Sequence, residues 1–377
     1  MNRLKLFKIL SHPQVVALFI CLIITLIPFF IYQPTFTTKT DINTYAQKYA
    51  NSQYVKGESS LHKISDAELY IYAGYAYMRG EDPTTINFEH PPLFKYLFGL
   101  SYLVFNNSYI ISLIYFFIFL FSAYLFSGLV LKNQVLRYLS VIILGLQPLV
   151  YILASYTLLD LPLNFLILFL FYFLFKKDID AKKRHIIIGI LLGLLCGVKY
   201  PFPFILLPIS LVTLISFFRK ELKYLIYPFL IIPTIYLIQY VMFFVHDHSL
   251  IDFLNFEKYR FFWWTGDRSM PKFLIFQNLF TGQYPAWWDN KLTMKNKEWN
   301  LFLPVLFLLY LNSFIFGKKK KTTVILFGYS LTVFLLYGIG SAVYLRYLTQ
   351  IMPFWIVITL SYGEDFLKNN RLIKKYF

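Results

Sequence analysis

Ser65-Asp66-Ala67-Glu68-Leu69-Tyr70, a Gly80-Glu81-Asp82-Pro83 turn and Glu89-His90-Pro91-Pro92-Leu93-Phe94-Lys95 make one polar stretch in a chain that is otherwise largely apolar. An apolar run at 14–32 precedes it and another at 109–131 follows. A helix needs about 20 residues to cross a bilayer core, and both runs approach or exceed that length. The polar stretch is therefore a loop between two membrane spans. It concentrates acidic, imidazole and ammonium groups at one membrane surface. The rest of the chain agrees. Its 377 residues are 58% hydrophobic, 21% aromatic and only 15% charged. A soluble domain has about 45–50% apolar and about 25% charged residues. The expected fold is an all-α polytopic membrane protein, one integral membrane domain over 1–377.

Further apolar runs give candidate spans at 138–156, 161–175, 186–199, 202–218, 224–245, 301–316, 322–340 and 346–362, about ten in all. The run 93–105 has 13 residues, which suits an interfacial helix better than a span. Charge supports leaving it outside. With ten spans, the N-terminus and the segments 132–137, 176–184, 219–223, 318–321 and 368–375 all fall on the cytoplasmic side. They hold 21 of the 36 Lys and Arg residues. Short basic loops set orientation, so the net charge of +17 reports topology and not a nucleic-acid partner. Two large segments, 33–108 and 246–300, are then external. In the first, Ile42, Tyr45, Ala46 and Tyr49 repeat at i, i+3, i+4, i+7, as do Leu69, Tyr72, Ala73 and Ala76. That spacing predicts juxtamembrane helices on the outer surface. Arg3, Lys5 and Lys8 before the first run resemble a signal peptide. The run is long enough to span and lacks a small-residue cleavage pattern, so it reads as an uncleaved span. Cys21 and Cys196 both lie in apolar runs, which argues against a disulfide framework or thiolate metal site.

Ser65-x-x-Glu68 matches a helix-capping box. It gives Glu68 a structural task and puts Asp66 in the first helical turn, where the helix dipole favours an ionised carboxylate. Asp66 admits two readings, a favourable first-turn acid or a general base for a hydroxyl nucleophile. His90-Pro91-Pro92 and Lys95 can be a helix start with a snorkelling lysine. Yet three other outer turns each offer an ionisable residue. These are Asp160 in Tyr156-Thr157-Leu158-Leu159-Asp160, Lys199 in Gly197-Val198-Lys199-Tyr200, and Arg346 with Tyr347 at the start of the last span. Ionisable groups in membrane segments are functional candidates by default.

In this order the motifs resemble those of the dolichyl-phosphate-mannose–protein mannosyltransferases and their bacterial relatives, the lipid A aminoarabinose transferases. Both are membrane glycosyltransferases of the C superfamily, family 39-like. The resemblance covers roughly residues 1–220 by motif and the remainder by topology and Arg346-Tyr347. It implies a glycosyltransferase, hexosyl or pentosyl and mannosyltransferase-like, in the plasma membrane with its site on the extracytoplasmic face. The implied donor is a polyprenyl-phosphate-linked sugar, in contact with membrane lipids. The acceptor is a hydroxyl of protein Ser or Thr, lipid or glycan. Asp66 matches the family's catalytic Asp. His90, Lys95 and Asp160 match its loop motif and second acid, and Lys199, Arg346 and Tyr347 join them as substrate contacts. Glu89-His90 stands where the aminoarabinose transferases have Glu-Lys near their metal and phosphate contacts. Glu89 is therefore the candidate ligand of a divalent metal, Mg²⁺, Mn²⁺ or Zn²⁺, and oxygen-rich surroundings suit the first two. Ala67 stands where a second acid commonly follows, and Ser155 where the family usually has Arg. The soluble sugar-binding insert of the eukaryotic enzymes is missing.

Segment 246–300 holds Trp263, Trp264, Trp287, Trp288 and Trp299, five of six Trp, which suit an interfacial aromatic belt or a sugar-stacking lid. His246-Asp247-His248 has the composition of a metal motif but no helical His spacing. Asn106-x-Ser108 is a glycosylation sequon. Two other functions compete, a polymerase or ligase of lipid-linked glycans and a flippase or transporter of such lipids. Transporters show internal repeats and a midplane site, and this chain shows no repeat.

Overall fold

The computed structural model describes residues 12–176, 178–199, 205–266, 272–286, 289–340 and 344–369. Helix dominates. The longer helices are α1 (Pro13–Ile31), α2 (Ile42–Ala50), α3 (Asp66–Met78), α4 (Leu93–Phe105), α5 (Ile110–Ser127), α6 (Gln134–Gly145), α7 (Asp160–Phe175) and α8 (Ala181–Cys196). They continue with α9 (Leu206–Phe218), α10 (Ile226–Ile238), α11 (Leu250–Thr265), α12 (Leu274–Thr281), α13 (Phe302–Phe316), α14 (Lys321–Ile339) and α15 (Met352–Asn369). One antiparallel pair, β1 (Gln283–Ala286) and β2 (Asp289–Lys295), sets Tyr284 opposite Met294.

Every expected span contains helix, but length sorts them. Among the described residues, α1, α5 and α14 are long and apolar enough to cross a membrane alone. Helix α6 and Pro148–Ser155 form a pair bent by 70°, which makes a fourth if taken together. Helices α4, α7, α9 and α13 and the stretch Leu222–Ile238 are apolar but shorter. The expected span 138–156 is thus broken. Pro148 has no N–H to donate and forces Gln147 out of helix, to φ −70°, ψ 127°. Arg346 does not open the last helix either. It lies in a 3-10 turn, Leu345–Gln350, and α15 begins at Met352. The run 93–105 is the separate short helix α4.

The chain forms two compact units. One comprises 1–28, 117–152 and 268–377, the other 29–116 and 153–267. In the first, α15 supplies the core with Phe354, Trp355, Ile356, Val357 and Ile358, all at most 2% exposed. Trp355 meets Phe307 and Phe334 at ring distances of 5.1 and 5.6 Å. At the far end of α15, Glu364 accepts the main-chain N–H groups of Lys132 and Asn133, both at 3.1 Å. Lys320 pairs with Asp365 at 3.0 Å. Three segments that charge placed on one side therefore meet.

In the second unit, α3 and α4 cross backbone against backbone. A Cβ on Gly74 would stand 2.3 Å from the Lys95 carbonyl oxygen, and one on Gly99 would stand 2.1 Å from that of Gly74. Only hydrogen fits at that crossing. Helix α8 packs on α10 in the same manner. Gly189 faces Pro228 and Ile231, and Gly193 faces Ile235, so small residues one turn apart let the helices close. Arg184 pairs with Glu221 at 2.5 Å and Arg219 donates to the Leu174 carbonyl at 2.7 Å. These contacts join the two basic loops of this unit. Cys21 and Cys196 are both buried and free.

Candidate functional site

The second unit gathers most of the residues singled out by sequence. Helix α3 starts at Asp66 because Ser65 caps it. The Ser65 hydroxyl accepts the Glu68 N–H at 3.4 Å, and the Glu68 carboxylate accepts the Ser65 N–H at 3.1 Å, the expected box. Lys48 adds an ion pair with Glu68 at 2.5 Å. Burial pushes the Glu68 carboxyl up, but Lys48 and Ser65 outweigh it and hold it below the usual carboxylate range. Glu68 is committed to the helix start. Asp66 is half-buried and within electrostatic reach of both the Tyr54 hydroxyl and the Lys95 ammonium. Glu89 approaches the same Tyr54 hydroxyl at hydrogen-bond range. Burial first, and these two carboxylates second, push Tyr54 far above its usual range, so it stays a donor.

Lys95 lies in the first turn of α4 and is fully buried. Its ammonium donates to the Asn87 carbonyl at 3.3 Å, to the Asn87 side-chain oxygen, and to the His90 carbonyl at 2.5 Å. Three acceptors match the three N–H groups of an ammonium. The Tyr70 ring lies 5.3 Å away. Burial pulls Lys95 well below its usual pKa. Glu89 and Asp66 oppose that pull, and Arg260 adds to it. Lys95, a candidate substrate contact by sequence, is here surrounded by the oxygens of its own loop.

Helix α11 covers this loop. The Trp264 indole N–H donates to the Glu89 carbonyl at 2.9 Å, and its ring stacks on His90 at 5.0 Å with 29° between planes. Phe88 meets Tyr259 at 5.4 Å and Trp263 at 5.2 Å. Two of the five tryptophans of segment 246–300 thus pack on the motif loop. Trp299 instead donates to the Leu279 carbonyl at 2.8 Å in the first unit, and Trp287 and Trp288 lie outside the described residues. His246-Asp247-His248 ties the start of this segment to the Gly80–Pro83 turn. His246 Nε2 donates to the Gly80 carbonyl at 2.7 Å, and His248 Nε2 stands 3.2 Å from the Asp82 carboxylate. No group of three or more His, Cys, Asp or Glu able to hold a metal occurs among the described residues.

Asp160 is the first residue of α7, and the Lys199 ammonium donates to it at 2.8 Å. Thr157 reaches from the turn before Asp160 to the Ala67 carbonyl, at 2.6 Å, which joins the two acid motifs. Arg346 and Tyr347 belong to the first unit. There the Arg346 guanidinium lies 4.6 Å from the Tyr344 ring and 5.6 Å from that of Tyr347. In the sequon, Asn106 ends α4 in the left-handed region at φ 54°, and Ser108 is fully buried.

Sequence reasoning missed Arg260. It is fully buried on α11, pairs with both oxygens of Glu257 at 2.5 and 2.6 Å, and donates to the hydroxyls of Tyr236 and Tyr240. A signal existed, because Phe253, Phe256 and Arg260 fall at i, i+3, i+7 on one helix stripe.

No family model and no curated protein matches the chain. Two solved structures do. The chain is similar to ArnT from Cupriavidus metallidurans bound to undecaprenyl phosphate, with 14% identity, a TM-score of 0.56, and 85% of this chain aligned to 59% of that one. It is also similar to the same ArnT in the apo state, with 12% identity, a TM-score of 0.52, and 90% aligned to 58%. The chain shares this fold over most of its length and spans about six-tenths of the ArnT chain.

Proposed function

We propose that this chain transfers a sugar from a polyprenyl-phosphate carrier to a hydroxyl acceptor on the extracytoplasmic side of the plasma membrane. One observation carries the reading. The unit that holds Asp66, Glu89, His90 and the Asp160–Lys199 pair belongs to a fold that binds undecaprenyl phosphate in ArnT. In the proposed reaction the acceptor oxygen attacks the anomeric carbon while its proton passes to Asp66. The bond from that carbon to the phosphate oxygen breaks, and its electron pair leaves with the polyprenyl phosphate. The configuration inverts. His90 and Asp160 are proposed to contact the sugar. Lys199, Arg346 and Tyr347 are each proposed as phosphate contacts. Lys95 holds the loop. Glu89 is proposed as an oxygen ligand for a divalent metal such as Mg²⁺ or Mn²⁺, which would add positive charge against a leaving phosphate.

The ten-span topology is part of the proposal. Its support is that basic loops meet basic loops, and that 246–248 meets 80–82, within single units. The first sugar and acceptor to try are an aminoarabinose or hexose donor and a crude envelope extract. The test compares Asp66→Asn with Glu68→Gln in purified full-length protein, with products read by mass spectrometry. Asn keeps the shape and first-turn position of Asp66 but takes no proton, so transfer should fall about 10²–10⁴-fold. Gln at 68 still accepts the Ser65 N–H, so most activity should remain. Full activity in the Asn variant, or equal loss in both, refutes Asp66 as the base. Absence of transfer by the unaltered chain from every polyprenyl-phosphate sugar refutes the function.

A further inference from the structure

Three consecutive residues of the motif loop are gripped by one helix. Phe88 is held between Tyr259 and Trp263, the Glu89 carbonyl takes the Trp264 N–H, and the His90 ring lies under the Trp264 ring. Positions 259 and 263 are one turn apart on α11, and 264 follows about 100° further round the helix. The helix itself is fixed at both ends. Its start is capped by Ser249 and Asp252, and His246 and His248 bind the Gly80–Pro83 turn just before it. Nearer its end, Arg260 anchors it through Tyr236 and Tyr240. The Glu89 side chain turns to Tyr54, the group it shares with Asp66.

We propose that Trp264 is a positioning residue that fixes Glu89 and His90 for the transfer reaction, acting through the main chain of Glu89 and the face of His90. This rests on the function proposed above. Its two contacts are chemically separable. Trp264→Phe keeps an aromatic face for His90 and removes the N–H from the Glu89 carbonyl. Trp264→Leu removes both. Phe262→Leu alters the exposed opposite side of α11, where Phe262 is 60% exposed, and serves as the control for general damage to the helix.

Two measurements on the purified full-length protein decide the matter. Hydrogen exchange of the peptide covering 86–92 needs no substrate. It should rise about tenfold in Trp264→Phe and further in Trp264→Leu, while Phe262→Leu and the α3 peptide stay unchanged. Donor kinetics should then show kcat reduced about tenfold in Trp264→Phe with donor KM within about twofold, because a misplaced group costs rate more than binding. Unchanged exchange in both Trp264 variants overturns the proposal. An equal fall of kcat in Phe262→Leu overturns it too, since the effect would then belong to the helix and not to Trp264. If the unaltered protein shows no transfer, the functional reading fails, and the positioning role in the reaction falls with it. The exchange result still tells whether Trp264 grips the loop.

Discussion

At the scale of the residue, Lys95 is the side chain whose surroundings decide most. An ammonium is tolerated in a dry place only when its hydrogen bonds are met. Asn87 and His90 meet them here. Lys95→Met would leave those buried oxygens without a donor, at about 1–3 kcal/mol for each group. The expected result is a clear drop in thermal unfolding temperature and in folded yield. Arg346→Met, at a half-buried site between two tyrosine rings, should stay within about 1 kcal/mol of the parent. A Lys95→Met protein as stable as the Arg346→Met protein would show that the Lys95 contacts carry no weight. The capping box was legible because all of its partners lie within three residues. The Lys95 contacts were local too, but nothing in its sequence neighbourhood distinguishes an inward lysine from one that reaches water.

At the scale of the element, the crossing of α3 and α4 places Asp66 and Lys95 on two helices in direct backbone contact. Gly74→Ala should cost about 1–3 kcal/mol, the usual penalty for overpacking, because a carbonyl and not a flexible side chain stands in the way. Gly328→Ala has nothing within 4 Å of the added carbon and should be neutral or slightly stabilising in its helix. Thermal unfolding of the two variants checks this, and equal stability would mean that the helices part freely. Helices α2, α3 and α4 were readable from periodicity and length. The Gly189, Gly193 and Gly197 spacing was readable too, as small residues one turn apart in a run expected to span. The break at Pro148 was written in the sequence, but hydropathy averages over it. The tie between Trp264 and Glu89 was not readable, because its partners are 175 positions apart and neither belongs to a pairing motif.

At the scale of the whole molecule, the basic loops and the polar loop make opposite demands on position. Cysteine introduced at Ser59 should react with an impermeant reagent added outside intact cells, and cysteine at Gly317 should react only after permeabilisation. Labelling of both from one side would reject the ten-span arrangement. Composition foretold a largely helical chain with helices apolar enough to span, yet neither the β1–β2 pair nor the division into two units whose segments alternate along it. The grip on Glu89 has a further consequence, in the order of synthesis. The partners of Lys95 lie five and eight residues away, so its hydrogen bonds can form as soon as α4 leaves the ribosome. Trp264 follows Glu89 by 175 residues, roughly 10–35 s later at the usual pace of translation. For that interval the nascent loop has its internal lysine and lacks its cover. A chain cut short before α11 would emerge with the acids in place and the loop that carries them unbraced, a half-built protein whose deficit is one of timing and not of composition.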